Sequence, residues 1–210
     1  MDLLVLSGGR HPFEETTPIL ADFLQAAGHQ VQVTENSSVL ISERLRGYDA
    51  VLFNTRREAE LSLTREEQVE LTRIIGGGKG FISLHVSGCL PESWPEYHDV
   101  SGGGWITGIS THPPYDQFTV NVSDPTHPCS AGIHDFITND ELDIELGWKP
   151  GNQVFITVEL DGQTHPMAWT RSYGNGKVFQ TTLGHDGLSF QSTMFQQLVV
   201  NAVDWATSAD

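Results

Sequence analysis

The chain has 210 residues, of which 38% are hydrophobic, and a formal net charge of -16 at neutral pH. This length fits a single domain, residues 1–210, that can bury a core without disulfide or metal support. Because so acidic a chain would be repelled by phosphate backbones and anionic lipid surfaces, we expect neither a nucleic-acid nor a membrane partner.

The N-terminal segment is predicted to be a buried strand. Residues 3–6 form a short apolar run, and the segment lacks the basic start and cleavage site of a signal peptide. The two cysteines, Cys89 and Cys129, do not have the spacing of a metal motif. A reducing, cytoplasmic location is therefore predicted.

Strands and helices alternate through the first half of the chain. Thr17 and Pro18 predict the start of a first helix, as N-cap and first helical residue, and Gly28 predicts its end. Thr64 and Glu67 have the spacing of a capping box and predict a second helix. Further strands are predicted around residues 31–33, 49–54 and 80–85. This alternation predicts right-handed βαβ units and a parallel sheet.

The second half of the chain predicts a long loop, more strands and a final helix. Residues 88–114 are rich in Gly, Pro, Ser, His and Trp without periodicity, which is typical of a functional loop. Strands are predicted at residues 118–122, 154–160, 167–173 and 177–183. Asn175-Gly176 predicts a tight hairpin between the last two. Apolar residues at helical spacing from Phe195 to Val203 predict a C-terminal helix.

Polar and reactive residues follow four of the predicted strands. In an open α/β sheet, ligands bind outside the carboxyl ends of the strands, which share one edge. We therefore predict a histidine-rich site at this edge. Its candidate residues are Arg10, His11, Asn54, Thr55, Arg56, His85, His185 and Asp186.

His85 and His185 are the leading candidates for catalysis. The sequence after His85 suggests a sharp strand-to-helix turn that exposes the imidazole above the sheet, as a nucleophile elbow does. The alternative is a structural histidine bonded to a loop carbonyl. His185 is a candidate base or metal ligand with Asp186 beside it. The alternative is a loop histidine next to an aspartate that begins a helix.

Loop residues complete the candidate site. His112 precedes a proline, which holds its backbone extended and so orients its imidazole. Glu141 is a candidate general base or ligand, although acidic pairs such as Asp140-Glu141 are usually solvated. Trp105 is placed to stack on a sugar ring, although covering the core is the commoner use. Cys89 would make a thiolate triad with a histidine and an acid, but a small buried side chain is the simpler interpretation.

Several motifs, in this order, make the chain resemble the trehalose-utilisation (ThuA-like) family. The resemblance covers nearly the whole chain, and it rests on the ordered set of motifs more than on any one of them. The motifs are Ser7-Gly8-Gly9, the strand ending in His85, Gly102-Gly103-Gly104 with His112-Pro113, Asp124-Pro125 with His127-Pro128, Asp140-Glu141-Leu142, the segment from His165 to Val178, and Leu183-Gly184-His185-Asp186.

The resemblance implies a fold and a field of metabolism. This family is similar in fold to class I glutamine amidotransferases, which implies a flavodoxin-like, doubly wound, mostly parallel sheet. Helices would cover both faces, with an antiparallel β-hairpin added. The elbow that carries cysteine in amidotransferases matches His85 here, so the chain is not expected to be a glutamine amidotransferase. The family's link to sugar metabolism implies a small carbohydrate-derived ligand.

Three hypotheses of function follow from these residues. In the first, His85, His112 and His185, with Glu141 or Asp186, hold a divalent metal, zinc above others. The metal polarises a carbonyl or activates water on a sugar or oxidised sugar. In the second, His185 or His85 acts as a metal-free acid–base catalyst with Glu141 or Asp186. In the third, the chain is a non-catalytic sugar-binding or regulatory protein.

We rank an enzyme above a binding protein, and a metal slightly above metal-free chemistry. The expected reaction is of the hydrolase or the isomerase and lyase type. His11, Arg56 and Trp105 are the predicted substrate contacts, and no nucleotide cofactor is expected. Because closed two-fold assembly is the commonest oligomeric state, a homodimer is the expected one, although the sequence shows no interface.

Overall fold

The structure is a computed structural model that describes residues 1–85, 88–89 and 94–209, with the backbone alone at residues 88–89. Strands within these residues are β1 (Asp2–Gly9), β2 (Gln30–Thr34), β3 (Ala50–Arg57), β4 (Gly80–Leu84), β5 (Gly88–Cys89), β6 (Gly103–Gly104), β7 (Asp116–Val122), β8 (Phe136–Asp140), β9 (Gly147–Trp148), β10 (Gln153–Leu160), β11 (Gln163–Tyr173) and β12 (Gly176–Thr181). The α-helices are α1 (Phe13–Ala26), α2 (Arg65–Gly76), α3 (Tyr97–Ser101), α4 (Gly187–Gln191) and α5 (Thr193–Thr207). Short 3-10 helices lie at Ser37–Ile41, Glu43–Gly47, Ala59–Leu61 and Pro128–Ser130.

Half of the main sheet is parallel. Its strands run in the order β2, β1, β3, β4 and β12, and each pairs with the next in the parallel sense. In sequence order these five strands give 2-1-3-4-5, the flavodoxin-like arrangement, whose switch point lies between β1 and β3. The predicted fold class is confirmed. In such sheets, ligands bind at the carboxyl ends of the two strands at the switch point.

The other half of the sheet is antiparallel. It continues from β12 through β11, β10 and β7 to β8, so the antiparallel part is larger than the single predicted hairpin. The predicted turn at Asn175-Gly176 does join β11 to β12, where Tyr173 pairs with Gly176. Strands β6 and β9 form a small separate antiparallel sheet. We call β7, β8, β10 and β11 the antiparallel extension.

Helices cover both faces of the parallel half, as predicted. In β1 the side chains alternate between faces, so Leu3 packs with one core cluster and Leu4 with the other. The first cluster contains residues of α1 and α5, and the second contains residues of α2 and α3. The predicted capping box of α2 is present, with Thr64 and Glu67 each bonded to the other's backbone N–H.

Two local predictions about the first half of the chain need correction. Helix α1 begins at Phe13 and contains Pro18, whereas Thr17 was predicted as its N-cap. The Thr17 hydroxyl instead bonds to that of Ser7 at 2.6 Å, so a tertiary contact engages it. At His85 the sharp turn is present as a positive φ of 54°, but the short strand β5 pairs with β3 where a helix start was expected.

In the part of the chain described above, no helix is long and apolar enough to cross a bilayer.

Candidate functional site at the carboxyl edge of the sheet

Three imidazoles meet at the carboxyl edge of the parallel strands. His11 follows β1, His85 follows β4 and His185 follows β12. Their ring centroids lie 4.9 Å apart for His11 and His85, 5.3 Å for His11 and His185, and 5.2 Å for His85 and His185. One ligand atom from each ring lies within 4.8 Å of the others. The structure thus brings together three histidines that the strand assignments placed on one edge.

His85 is held by two hydrogen bonds, one from its ring and one to its backbone carbonyl. Its Nδ1 lies 2.8 Å from the carbonyl oxygen of Thr182. Since a carbonyl only accepts, Nδ1 carries the proton and Nε2 keeps a free lone pair. The His85 carbonyl accepts a hydrogen bond from Gln180 Nε2 at 3.0 Å. Burial, then the neighbouring His11, lowers the pKa of His85 to about 3, so the ring is neutral at neutral pH.

Glu141 supplies a carboxylate to the histidines from the end of β8. Its Oε2 lies 3.1 Å from His185 Nδ1 and 3.7 Å from His85 Nε2, and its Oε1 lies 3.7 Å from His112 Nε2. Burial disfavours the charged carboxylate, but hydrogen bonding to His185 and the neighbouring imidazoles outweigh burial and lower the pKa of Glu141 to about 2. The same hydrogen bond raises the pKa of His185 above its usual value.

Three donor atoms form a compact triangle at the centre of the site. His185 Nδ1 and His85 Nε2 lie 3.4 Å apart, and Glu141 Oε2 lies 3.1 Å from the first and 3.7 Å from the second. We call His85, His185 and Glu141 the donor triangle. Two imidazole nitrogens and a carboxylate oxygen are a ligand set that divalent metals such as zinc accept.

Two aspartates that flank the donor triangle hold its backbone in place. Asp140 is buried and accepts hydrogen bonds from the N–H groups of Gly184 at 2.8 Å and His185 at 3.0 Å. Asp186 caps helix α4, where its Oδ1 accepts the N–H groups of Leu188 and Ser189. Asp186, a predicted catalytic residue, therefore has a structural task, and its catalytic role stays a prediction.

His11 and Arg56 meet beside the donor triangle, at the switch point between β1 and β3. Arg56 Nη1 lies 3.1 Å from His11 Nε2. A guanidinium only donates, so it uses the lone pair of this nitrogen. Burial, then the charge of Arg56, lowers the pKa of His11 to about 4. Both residues are predicted substrate contacts, and this role stays a prediction.

His112 and Trp105 lie at the edge of the site. The His112 ring is 6.1 Å from that of Trp105, and its Nδ1 lies 2.8 Å from the carbonyl oxygen of Pro113. His112 was predicted as a third metal ligand, but His11 is the third histidine that clusters with His85 and His185. His112 instead contacts the outer oxygen of Glu141. The role of Trp105 as a substrate contact stays a prediction.

Tyr115 also lies at the site, although the sequence did not predict this. Its ring lies 5.7 Å from that of His185. Burial, followed by a hydrogen bond to Asp186, raises the pKa of Tyr115, so its hydroxyl stays protonated. The available signal was its position, three residues after the candidate His112 and next to the long loop. The side chain of Cys89, the candidate thiol, lies outside the described residues.

Comparison with known proteins identifies the family. Residues 2–206 match the family model ThuA, described as trehalose utilisation. The chain belongs to this family. No curated protein matches the sequence closely enough to count as a relative.

Solved structures of low sequence identity share the fold of this ThuA family member. A ThuA-like protein of Parabacteroides merdae has a TM-score of 0.84 at 20% identity, covering 99% of this chain and 89% of its own. A ThuA-like protein of Bacteroides uniformis has a TM-score of 0.77 at 18% identity, with 100% and 91% covered. A Salmonella typhimurium protein described as cytoplasmic has a TM-score of 0.68 at 15% identity, with 98% of each chain covered.

Proposed function

We propose that this chain is an enzyme of carbohydrate metabolism in which a divalent metal ion, held by the donor triangle, acts on a sugar or an oxidised sugar. The observation that carries the proposal is the spacing of the three donor atoms, 3.4, 3.1 and 3.7 Å. Nitrogen and oxygen ligands that lie 2.0–2.1 Å from a tetrahedral zinc ion are about 3.3 Å from one another. The donor triangle has the size that such an ion needs.

The surroundings of His85 support the same assignment. Histidines that bind metals usually donate their other ring N–H to a carbonyl or carboxylate, which fixes the tautomer and the ring orientation. The bond from His85 Nδ1 to the Thr182 carbonyl has this arrangement and leaves Nε2 free to face Glu141. Burial keeps the ring neutral, which is the state that a metal requires.

His11 is assigned to the substrate and not to the ion. Its Nε2 lone pair is engaged by Arg56, whose positive charge would also repel a nearby cation. His11 and Arg56 therefore lie beside the ion position as hydrogen-bonding groups for a substrate oxygen. Tyr115, with a protonated hydroxyl, and Trp105, with its flat ring, offer further contacts of the kind that sugars use.

The proposed reaction is hydrolysis, or isomerisation or elimination next to a carbonyl, in the cytoplasm. A divalent ion supplies a Lewis acid that polarises a carbonyl or lowers the pKa of bound water. The carbohydrate class follows from the family description, trehalose utilisation. A histidine at the elbow position argues against glutamine amidotransfer.

Metal content of the untagged protein, purified without chelator, tests the proposal. We expect close to one divalent ion per chain in the wild type and little in His85→Ala or Glu141→Gln. His134→Ala is the matched control, because His134 is exposed and precedes β8, whereas Glu141 follows the other end of that strand. A wild type that stays metal-free after zinc, manganese or cobalt is added back would refute the metal site.

A metal-free acid–base enzyme is the second candidate, and the His185–Glu141 hydrogen bond of 3.1 Å favours it. A carboxylate that orients a histidine and stabilises its charged form is a common acid–base arrangement. Under this alternative, turnover of a sugar substrate would survive exhaustive chelation and fall in both His185→Gln and Glu141→Gln.

A further inference from the structure

A polar cavity of about 310 Å³ lies beside β2, the outermost strand of the parallel half of the sheet. We call it the β2 cavity. It lies between the side chains of Gln32 and Thr34 and the segment of residues 36–48. A second cavity of about 320 Å³ adjoins it, because Gln32, Arg44 and Tyr48 line both. Among the described residues, those of the candidate active site line neither cavity, so the β2 cavity is a separate place on the molecule.

Arg44, which lines the β2 cavity, differs from the other basic residues of the chain. The chain has 11 lysines and arginines, and each of the others forms an ion pair or a hydrogen bond. Arg44 forms neither with any residue that the structure describes, since its neighbour Glu43 pairs with Arg46 at 2.6 Å. A guanidinium has five N–H donors and a permanent charge. Arg44 therefore presents an unused cation at the cavity wall.

The neutral polar side chains of the β2 cavity also leave donors unused. Asn36 Oδ1 accepts the N–H of Ser38 at 3.0 Å, and Thr34 Oγ1 accepts that of Asn36 at 3.1 Å. These two acceptors are thus occupied from within the wall. The Asn36 amide nitrogen and the hydroxyls of Ser38 and Tyr48 have no partner in the part of the chain that the structure describes. The wall therefore offers more unused donors to a ligand than a balanced polar surface would.

The β2 cavity also lacks an opposing negative charge. No aspartate or glutamate among the described residues lines it, although the chain has 27 of them. The Glu35 side chain, next to the wall in sequence, lies against Gly8. The net charge of -16 repels a polyanion, but a single small anion responds mainly to charges within about 8 Å, the screening length at physiological ionic strength. A small anion would therefore meet a cation here without a facing carboxylate.

We propose that the β2 cavity binds the phosphate group of a small molecule, with Arg44 as its ion-pair partner. Asn36, Ser38 and Tyr48 supply neutral donors. Hydrogen bonds from a guanidinium to phosphate are among the strong ones in proteins. The phosphate oxygens point in several directions and can use donors on different walls, whereas a carboxylate is planar. Asp2 lines only the second cavity, which takes the uncharged remainder of the ligand. The proposal does not depend on a metal at the donor triangle.

NMR titration of the full chain with inorganic phosphate, at constant ionic strength and with chelator present, tests the proposal. We expect saturable shifts of the Arg44 and Asn36 side-chain signals with a dissociation constant of about 1–10 mM. Affinity should fall at least about fivefold in Arg44→Gln, an exposed position where folding should survive. It should also fall in Tyr48→Phe, which keeps the ring that packs on the core. Arg73→Gln is the matched control, because it removes the same charge from an exposed position outside both cavities, and it should change affinity less than about twofold.

Four results would overturn the proposal. A wild type without saturable shifts up to about 50 mM phosphate would have no such site. An equal loss of affinity in Arg44→Gln and Arg73→Gln would show general attraction to surface charge. Shifts confined to His11 and Arg56 would place the anion at the candidate active site. Acetate, the planar carboxylate probe, should bind more weakly than phosphate, and the reverse order would contradict the assigned group.

Discussion

Replacing Gln180 by methionine tests whether the hydrogen bond from Gln180 to the His85 carbonyl stabilises the strained turn at His85. Gln180 is buried in β12, and its Nε2 donates to the carbonyls of His85 at 3.0 Å and Thr181 at 2.9 Å. Its Oε1 accepts the hydroxyl of Tyr97 at 3.3 Å. Methionine has a similar length but offers neither a strong donor nor a strong acceptor.

The expected cost comes from the two carbonyls that lose a donor. A buried group left unsatisfied costs about 1–3 kcal/mol. Because a carbonyl can keep a second partner, we expect about 2–4 kcal/mol for the pair, from the lower part of that range. In a chain of this size, this corresponds to a fall in melting temperature of roughly 5–15 °C. His85, with its φ of 54°, would then be free to relax, which should also reduce metal content.

Urea unfolding followed by circular dichroism measures the first effect, and metal analysis of the folded variant measures the second. Gln117→Met is the control, because Gln117 is exposed on β7 and the same substitution there should be nearly neutral. If the free energy of unfolding of Gln180→Met is within about 0.5 kcal/mol of the wild-type value and its metal content equals that of the wild type, the Gln180 network does not hold His85.

Three further outcomes are expected. Asp186→Ala should lower the free energy of unfolding by about 1 kcal/mol in a urea titration, and Asp186→Ser should restore most of it, because the N-cap of α4 is lost and regained. Gly9→Ala should prevent stable folding, since its Cβ would lie about 2.0 Å from the Arg56 carbonyl oxygen at a φ of 115°. Gly28→Ala is the control, because a Cβ there has open space at a φ of 94°. It should lower the free energy of unfolding by only about 1 kcal/mol in the same assay. Burial lowers the pKa of His127 below 6.5, so its stabilising contribution is complete above that pH and is lost as the pH falls toward the lowered value. The wild type should therefore lose more stability than His127→Asn between about pH 7 and pH 5, and parallel pH profiles would contradict this.

Local patterns in the sequence predicted most of the parallel half. Apolar runs located β1, β3 and β4, and the spacing of Thr64 and Glu67 located the start of α2. The predicted start of α1 was wrong. Proline is most common in the first turn of a helix, so Pro18 favoured Thr17 as the N-cap. In the structure the Thr17 hydroxyl bonds to Ser7 and Asn54 from neighbouring strands. Such contacts between distant segments leave no local signal.

The candidate site was predictable in its location but not in its internal arrangement. A topological rule placed His11, His85 and His185 on one edge, because the carboxyl ends of parallel strands coincide. Which histidine takes which role depends on side-chain contacts that only the folded chain defines. Arg56 engages His11, and Glu141 contacts His112 only through its outer oxygen. The sequence predicted His112 as the third metal ligand, whereas in the structure His11 is the histidine that clusters with His85 and His185. The roles of these residues stay predictions.

The position of Glu141 shows that the two halves of the sheet act together. The histidines of the donor triangle come from the parallel half, as in other flavodoxin-like sites at strand ends. Their carboxylate comes from the end of β8, the outermost strand of the antiparallel extension. It reaches the histidines because Asp140, the last residue of β8, binds the backbone of Gly184 and His185. Without the extension, the parallel half would present His85 and His185 without Glu141, the carboxylate that lies 3.1 Å from His185 Nδ1. The antiparallel extension therefore contributes one of the three residues of the donor triangle and is not only an addition to the edge of the sheet.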